Sequence, residues 1–204
     1  MKAICDPHNA LGTGLTSIRE QFKVPADFPA DVAAAAEEAM RRKPDAHADL
    51  TNLPFVTLDP ASSTDLDQAF LIERTGTDLI LRYAIADVDS FVRDRDAIDV
   101  EAWTRGMTLY LPDGKARLYP PSLSERAASL LPGGAKPAAL FTIRVDQDGK
   151  VSLEDAQRAF IQSRAKLAYD SVRDVDLPKD FAELAERIGR AEDRRGATRV
   201  DPPE

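Results

Sequence analysis

Cysteine and histidine are scarce in this chain, and long apolar runs are absent. The one cysteine, Cys5, cannot form an internal disulfide. The two histidines, His8 and His47, have no cysteine or histidine neighbours, so we expect surface residues and neither a zinc site nor a histidine-based triad. No stretch reaches the roughly 18 apolar residues of a membrane helix, and no signal-peptide pattern opens the chain, which predicts a cytoplasmic protein without a membrane partner.

Positive charge is also in short supply, because 27 Lys and Arg face 35 Asp and Glu for a net charge of −8. Contacts from Lys and Arg to phosphates dominate nucleic-acid affinity, so this balance argues against a simple nucleic-acid-binding module. The excess acid is concentrated between residues 59 and 138, as a metal site or a solvated surface would produce. A chain of 204 residues with 43% apolar content is long enough for one sizeable core.

The hydrophobic pattern predicts an α+β fold with a mixed, largely antiparallel sheet and packed helices. β-type runs with turn residues between them predict two hairpins, one formed by residues 68–74 and 79–88, the other by residues 140–145 and 151–161. A shorter run at residues 55–58 precedes the first hairpin.

Four helices follow from capping residues and apolar spacing, one of them led by Ser124 and ending near residues 132–134. Residues 1–48 are expected to form an irregular leader and a surface helix at 30–43. Asp96 is the predicted N-cap of a helix whose apolar positions are Val100, Trp103 and Met107. The last helix carries Phe181, Leu184, Ile188 and Ala191 on one face, and its other face carries Arg187 among mixed charges.

Three carboxylates and a carboxamide lie within ten residues, between two apolar strand-like runs: Asp59, Asp65, Asp67 and Gln68. Like charges this near raise one another's pKa unless a cation or a hydrogen-bond donor relieves the repulsion. Oxygen ligands select hard ions such as Mg²⁺ or Mn²⁺, which can activate water for phosphodiester hydrolysis. Asp and Ser clusters in loops more often form Asx turns and caps than metal sites, so the segment alone leaves both alternatives open.

Several blocks around this loop form a recognisable series: Asp49-Leu50-Thr51, residues 55–59, Asp65-Leu66-Asp67, Ile85-Ala86-Asp87-Val88, Arg105-Gly106, Tyr110-Leu111-Pro112, Leu123-Ser124, Ser129-Leu130 and residues 163–169. In this order the blocks closely resemble the RNB catalytic domain of the ribonuclease II / ribonuclease R family. The resemblance covers roughly residues 49–172. It leads us to expect that residues 49–204 form the N-terminal part of such a domain, a partial RNB-type catalytic core.

The resemblance implies a 3′→5′ exoribonuclease that hydrolyses single-stranded RNA with Mg²⁺ or Mn²⁺ and releases nucleoside 5′-monophosphates. It implies catalytic roles for Asp59, Asp65, Asp67 and Gln68, with the metal held by Asp59, Asp67 and Gln68. Tyr110 and Tyr169 match tyrosines that contact the RNA, where a ring can stack on a base. Simple packing at a strand end is the alternative for both tyrosines. Asp87 is interpreted as a structural partner.

The sequence departs from the family pattern at one position, because the fourth acidic residue of the site falls on Gln68. A carboxamide oxygen offers a dipole in place of a full charge, so the metal should bind more weakly. The chain is therefore either an active enzyme with Gln at this position or a noncatalytic RNB-like module that binds RNA or a protein. A folded acidic domain with an Asx-rich turn is a third alternative. Because the resemblance covers about half of an RNB domain, self-association or docking of a C-terminal half is a further expectation.

Overall fold

The structure, a computed structural model, describes residues 9–44 and 46–197. The predictions for Cys5 and His8 lie outside the described residues. The α-helices are α1 (Ala10–Gln21), α2 (Ala30–Ala39), α3 (Ala97–Arg105) and α4 (Phe181–Arg194). The strands are β1 (Ala48–Asp49), β2 (Phe55–Asp59), β3 (Gln68–Thr75), β4 (Asp78–Ala86), β5 (Leu109–Leu111), β6 (Gly114–Ala116), β7 (Lys136–Val145), β8 (Val151–Ile161) and β9 (Ser163–Ala168).

Seven of the strands form one sheet in the order β1-β8-β7-β4-β3-β2-β9. The two outermost pairs, β1 with β8 and β2 with β9, are parallel, and the other neighbours are antiparallel. Strands β5 and β6 form a separate antiparallel pair. The predicted α+β class with a mixed, largely antiparallel sheet is confirmed.

The two predicted hairpins form the centre of the sheet. Strands β3 and β4 pair from Gln68 opposite Ile85 to Thr75 opposite Asp78, and Gly76 turns the chain with φ of 59°. Strands β7 and β8 turn at Gly149, where φ is 74°. Glycine adopts these left-handed conformations without the steric penalty of a side chain. Because β2, β3 and β4 pair antiparallel, the end of β2, the start of β3 and the end of β4 lie together where these strands end, on one side of the sheet.

The main core lies on one face of this sheet, and α4 covers the other. Large buried residues of the main core include Phe55, Leu66, Leu71, Leu130, Leu140 and Ile161. On the α4 face, Leu184 packs on Leu79 and Val145, and the ring centroids of Phe70 and Phe181 lie 5.8 Å apart. Successive strand residues point to opposite faces. This alternation decides which residues at the start of β3 can share a site.

Helix α1 occupies part of the segment for which an irregular leader was predicted, so that prediction is wrong for residues 10–21. Gly12 and Gly14 each cost about 1 kcal/mol in a helix interior, yet this cost does not prevent the helix. Arg19 near its C-terminal end donates to Asp113, with 2.7 Å between Nη2 and Oδ1. The predicted surface helix is α2, which ends at Ala39.

Helix α3 begins as predicted, because the Asp96 carboxylate accepts hydrogen bonds from the backbone N–H groups of Ile98 and Asp99. Its predicted apolar positions, in contrast, do not enter the core. Val100, Trp103 and the following Met107 are exposed, with Trp103 82% exposed. The helix packs through Ile98 instead, against the buried alanines of α2. The expectation of self-association stays a prediction.

Helix α4 has the predicted apolar face, but the position assigned to Arg187 is wrong. Arg187 is buried, and its guanidinium donates to the carbonyls of Val145 and Thr77 at 3.2 and 2.8 Å. It therefore joins α4 to two chain turns at the far end of the sheet. Gly149 in one of these turns lies so close to the Arg187 carbonyl that a Cβ atom there would collide with it.

The prediction that His47 is a surface residue is also wrong, because its side chain is buried. Its Nε2 lies 3.0 Å from Oδ2 of Asp87, and its ring centroid lies 5.0 Å from that of Phe160. Asp87 also accepts a hydrogen bond from the Ser90 hydroxyl at 2.8 Å. These contacts agree with a structural role for Asp87.

Among the residues that the structure describes, no helix is both long and apolar enough to cross a membrane.

Candidate active site

Asp59 is the last residue of β2, between β3 on one side and β9 on the other. Its backbone carbonyl accepts a hydrogen bond from the N–H of Tyr169 at 3.3 Å. Its Oδ2 atom is buried and has no hydrogen-bond partner within the described part of the chain. Burial raises the pKa of Asp59, the carboxylates of Asp67 and Asp65 raise it further, and the charge of Lys166 opposes them. The negative charge of Asp59 is therefore unfavourable in this environment, and a bound cation would stabilise it.

The loop between β2 and β3 is held in place by side chains from distant parts of the chain. Lys166 of β9 donates to the carbonyls of Ala61 and Ser63 at 2.7 and 2.6 Å. The Ser129 hydroxyl donates to the Thr64 carbonyl at 2.8 Å and accepts from the N–H of Leu66 at 3.0 Å. The loop is thereby fixed from both sides.

Asp65 in this loop is compensated, unlike Asp59. Lys115 of β6 donates to its Oδ2 at 2.7 Å. Burial would raise the pKa of Asp65, but the hydrogen bond from Lys115 and the charges of Lys115 and Arg117 outweigh burial and lower it. Asp65 therefore carries a stable negative charge that is already paired.

The structure brings Asp59, Asp65, Asp67 and Tyr110 together around one cleft of about 470 Å³, which we call the acidic cleft. Arg117, Tyr119, Ser124 and Ser129 also line it. The backbone carbonyl of Asp67 accepts from the N–H of Ala86 at 2.8 Å, which ties the loop to the end of β4. Tyr110 is 77% exposed, so its ring is accessible to solvent at the cleft.

Gln68 and Tyr169 do not line the acidic cleft. With Phe70, Tyr83, Phe181 and other residues they line a smaller pocket of about 230 Å³ on the α4 face. This arrangement follows from strand alternation, because Asp67 and Gln68 are consecutive and point to opposite sides. The Tyr83 hydroxyl donates to Oε1 of Gln68. Burial raises the pKa of Tyr83, and the electrostatic influence of Asp67, Tyr169 and Asp59 raises it further. Because Asp67 and Asp59 line the acidic cleft and still act on Tyr83, the two pockets adjoin.

Two carboxylates of the predicted metal set, Asp59 and Asp67, share the acidic cleft, and Gln68 is turned away from them. Across residues 9–44 and 46–197, no three His, Cys, Asp or Glu side chains are grouped closely enough to form a metal site by themselves. The unpartnered Oδ2 of Asp59 nevertheless fits a hard cation, since carboxylate oxygens are the ligands that Mg²⁺ and Mn²⁺ prefer. The metal site stays a prediction.

Sequence reasoning gave no role to three residues that hold this site: Lys115, Ser129 and Lys166. Ser129 and Lys166 lie in blocks that carry the family resemblance. The resemblance marked both positions but did not indicate which contacts their side chains make. Lys115 lies outside those blocks, and its approach to Asp65 depends on the β5–β6 pair folding over the loop.

The carboxylate loop and the exposed Tyr110 thus lie together at one end of the sheet, and comparisons with known proteins give the family of the chain. A family model described as the RNB domain matches residues 47–188, so the chain belongs to the RNB domain family. The predicted resemblance to the ribonuclease II / ribonuclease R family is confirmed.

The known relatives include proteins named as exoribonucleases and one named as inactive. Exoribonuclease 2 of Vibrio vulnificus is 38% identical over 129 residues, 62% of this chain and 19% of that protein. The protein named inactive exonuclease DIS3L2 of Arabidopsis thaliana is 35% identical over 183 residues, 89% of this chain and 16% of that protein. The chain thus spans less than a fifth of the length of either relative.

The fold is also found in a solved structure, that of Mycoplasma genitalium RNase R in complex with ribose-methylated single-stranded RNA. The TM-score is 0.75 at 23% identity, and the match covers 95% of this chain and 32% of that one. This likeness supports the RNB-type fold.

Proposed function

We propose that this chain belongs to a 3′→5′ exoribonuclease that hydrolyses single-stranded RNA with Mg²⁺ or Mn²⁺ and releases nucleoside 5′-monophosphates. The observation that carries the proposal is the buried, unpartnered carboxylate oxygen of Asp59 in a cleft shared with Asp67 and Tyr110. A buried charge without a partner is costly, and a divalent cation is the partner that a second carboxylate would help to hold. The exoribonuclease relatives support the same reaction class.

Each residue of the acidic cleft has a distinct role in this proposal. Asp59 and Asp67 hold the metal, which when bound supplies a Lewis acid that activates water and neutralises charge on the phosphodiester. Asp65, paired with Lys115, keeps the loop in the conformation that presents Asp67. Arg117 in the cleft wall offers a positive charge to an RNA phosphate, and the exposed ring of Tyr110 stacks on a base.

Gln68 and Tyr169 take a supporting place beside the cleft. Tyr169 is 63% exposed at the end of β9 and can stack on a neighbouring base of the same RNA. Gln68, hydrogen-bonded to Tyr83, contributes to the metal only if its carboxamide oxygen leaves that hydroxyl.

The test is incubation of the chain with 5′-labelled single-stranded RNA and Mg²⁺ or Mn²⁺, resolved on a denaturing gel. We expect a ladder that shortens from the 3′ end and that Asp67→Asn abolishes with little loss of RNA binding. The matched control is Asp148→Asn, which removes a carboxylate from the exposed turn between β7 and β8, at the opposite end of the sheet. Equal loss of binding and cleavage in Asp67→Asn would contradict the assigned role.

A second candidate is a noncatalytic RNB module that binds RNA or a protein. It is favoured by Gln68 in place of the fourth acid and by the similarity to a relative named inactive. RNA that stays intact in every lane while it still binds the chain would support this candidate and reject cleavage by this chain on its own.

A further inference from the structure

A larger cavity of about 730 Å³ lies next to the acidic cleft and has the opposite charge. A single turn of π-helix (Leu123–Ala127) separates the two, with Ser124 on the side of the acidic cleft and Arg126 on the other side. We call this cavity the basic groove and define it by four cations and two aromatic rings: Arg42, Lys43, Arg126, Lys136, Phe91 and Phe160. None of the described residues that line it is acidic.

Two of the four cations build the walls of the basic groove. Arg42 donates from Nη1 to the Phe91 carbonyl at 2.8 Å, which ties the end of α2 to the segment before α3. Lys136 donates from Nζ to the Arg126 carbonyl, which ties the start of β7 to the π-helical turn. Burial lowers the pKa of Lys136. Arg42 also lies 4.0 Å from the carboxylate of Asp96. The side chains of Arg42 and Lys136 therefore already have partners within the protein.

The other two cations, Lys43 and Arg126, are free to meet a ligand. Neither side chain has a hydrogen bond or an ion pair with any described residue, and both are exposed. A guanidinium and an ammonium at one cavity suit a phosphate, which Arg can bind through two parallel hydrogen bonds.

The walls of the basic groove supply flat apolar surface as well. Phe160 is half-buried and is held by the buried His47 ring, whereas Phe91 is almost fully buried and only closes the wall. A partly exposed ring such as that of Phe160 can stack on a nucleobase without reading its identity. The volume lies within the range of about 300–1,000 Å³ typical of small-molecule sites.

We propose that the basic groove binds a nucleoside phosphate, with Lys43 and Arg126 on the phosphate and Phe160 against the base. The ligand is either a free nucleotide or one nucleotide of an RNA chain, since both present the same phosphate and ring. The proposal does not depend on cleavage in the acidic cleft, because it uses a different set of residues on the far side of the π-helical turn.

The experiment measures binding of AMP by isothermal titration calorimetry, and of a short 5′-labelled oligoadenylate by fluorescence anisotropy, with EDTA present so that no RNA is cleaved. The test variant is Lys43→Ala/Arg126→Ala. The matched control is Lys179→Ala/Arg195→Ala, which removes the same two charges from exposed positions beside α4. We expect the test variant to weaken binding by about tenfold or more and the control to leave it within about twofold.

The two probes distinguish the source of the ligand. If the test variant loses affinity only for AMP, the ligand is a free nucleotide. If it loses affinity only for the oligoadenylate, the ligand is a nucleotide of an RNA chain. Equal affinities in the test and control variants would overturn the proposal, as would adenosine binding as tightly as AMP. Displacement of the probe by an oligoglutamate as effectively as by AMP would also overturn it, since an acidic peptide needs no ring.

A last variant separates this proposal from the proposed function. Asp67→Asn should keep full binding in the basic groove even where cleavage is lost. Failure of the gel assay with intact groove binding therefore rejects only the exoribonuclease, and the reverse result rejects only the basic groove.

Discussion

The Tyr83 hydroxyl donates its hydrogen bond to the carboxamide oxygen of Gln68, the one atom of that side chain that could ligate a metal. The two residues are diagonal neighbours on β3 and β4, because Tyr83 pairs with Phe70 and Gln68 pairs with Ile85. The contact keeps Gln68 in the pocket on the α4 face, next to Tyr169. At the fourth position of the predicted metal set, the carboxamide oxygen therefore already has a hydrogen-bond partner within the protein.

This contact predicts how metal affinity responds to substitution. We expect Gln68→Asp to leave the Mg²⁺ affinity within about twofold, because the side chain at position 68 lies in the pocket on the α4 face, away from Asp59 and Asp67. Tyr83→Phe should give no larger change, because releasing the carboxamide oxygen does not turn it toward the acidic cleft. Isothermal titration calorimetry of Mg²⁺ checks both. A gain of about tenfold for Gln68→Asp, alone or combined with Tyr83→Phe, would show that position 68 reaches the metal.

The raised pKa of Asp59 predicts a pH dependence of stability in the absence of metal. Between its ordinary value of 3.8 and the raised value, the folded state keeps a proton that the unfolded state has lost. The free energy of unfolding therefore falls as pH rises through that interval. Asp59→Asn removes this loss, so its stability relative to the native chain should increase from acid to neutral pH, as measured by urea unfolding with EDTA.

Asp65→Asn is the matched control, because the pKa of Asp65 is lowered and the sign reverses. The paired carboxylate stabilises the fold above its ordinary pKa, and this stabilisation is lost as pH falls through the lowered value. Asp65→Asn should accordingly lose stability relative to the native chain as pH rises from acid to neutral. The same trend in both variants would contradict the assigned environments.

A third prediction concerns metal and the fold. If Asp59 holds a divalent cation, saturating Mg²⁺ or Mn²⁺ should raise the melting temperature of the native chain by mass action. Binding at about 100 times the Kd corresponds to about 2.7 kcal/mol. Asp59→Asn should abolish the shift, and Asp148→Asn should retain it. Differential scanning calorimetry makes the comparison, and an equal shift in both variants would place the cation elsewhere.

Substitutions at two glycines distinguish the cost of a strained backbone from the cost of a steric collision. Gly149 and Gly76 both have positive φ, but only at Gly149 would a Cβ strike a neighbour, the Arg187 carbonyl of α4. We expect Gly76→Ala to destabilise the fold by about 1–2 kcal/mol from the backbone alone. Gly149→Ala should add about 1–3 kcal/mol for overpacking. Chemical denaturation measures both, and equal losses would show that α4 moves aside without cost.

Local patterns predicted the parts of the fold that depend on neighbours along the chain. Both hairpins and the Asp96 cap are confirmed, because strand alternation, turn glycines and capping act over a few residues. Arg187 was placed wrongly, because a charged side chain among other charges was assumed to be exposed. Which helix face meets the sheet depends on tertiary packing, and the buried Arg187 is satisfied by carbonyls that no local pattern reveals.

The candidate site divides in the same way. Asp59, Asp65 and Asp67 were predictable as a group because they are close in sequence. The opposite directions in which the pKa values of Asp59 and Asp65 shift were not, because they depend on Lys115, which pairs with Asp65 from 50 residues further along the chain, and on burial beside β9. The separation of Gln68 from Asp67 follows from strand alternation, once the start of β3 is known to lie at Gln68.

The parallel pairing of β2 with β9 has a consequence for the order in which the chain folds. Asp59 lies opposite Ala168, so the strand that carries the buried, unpartnered carboxylate oxygen of the acidic cleft completes its hydrogen bonding only after about a hundred further residues. On the ribosome the β3–β4 hairpin can pair early, whereas the acidic cleft must wait until β9 emerges from the exit tunnel. A nascent chain released before that point would carry the entire carboxylate loop without the backbone that aligns it.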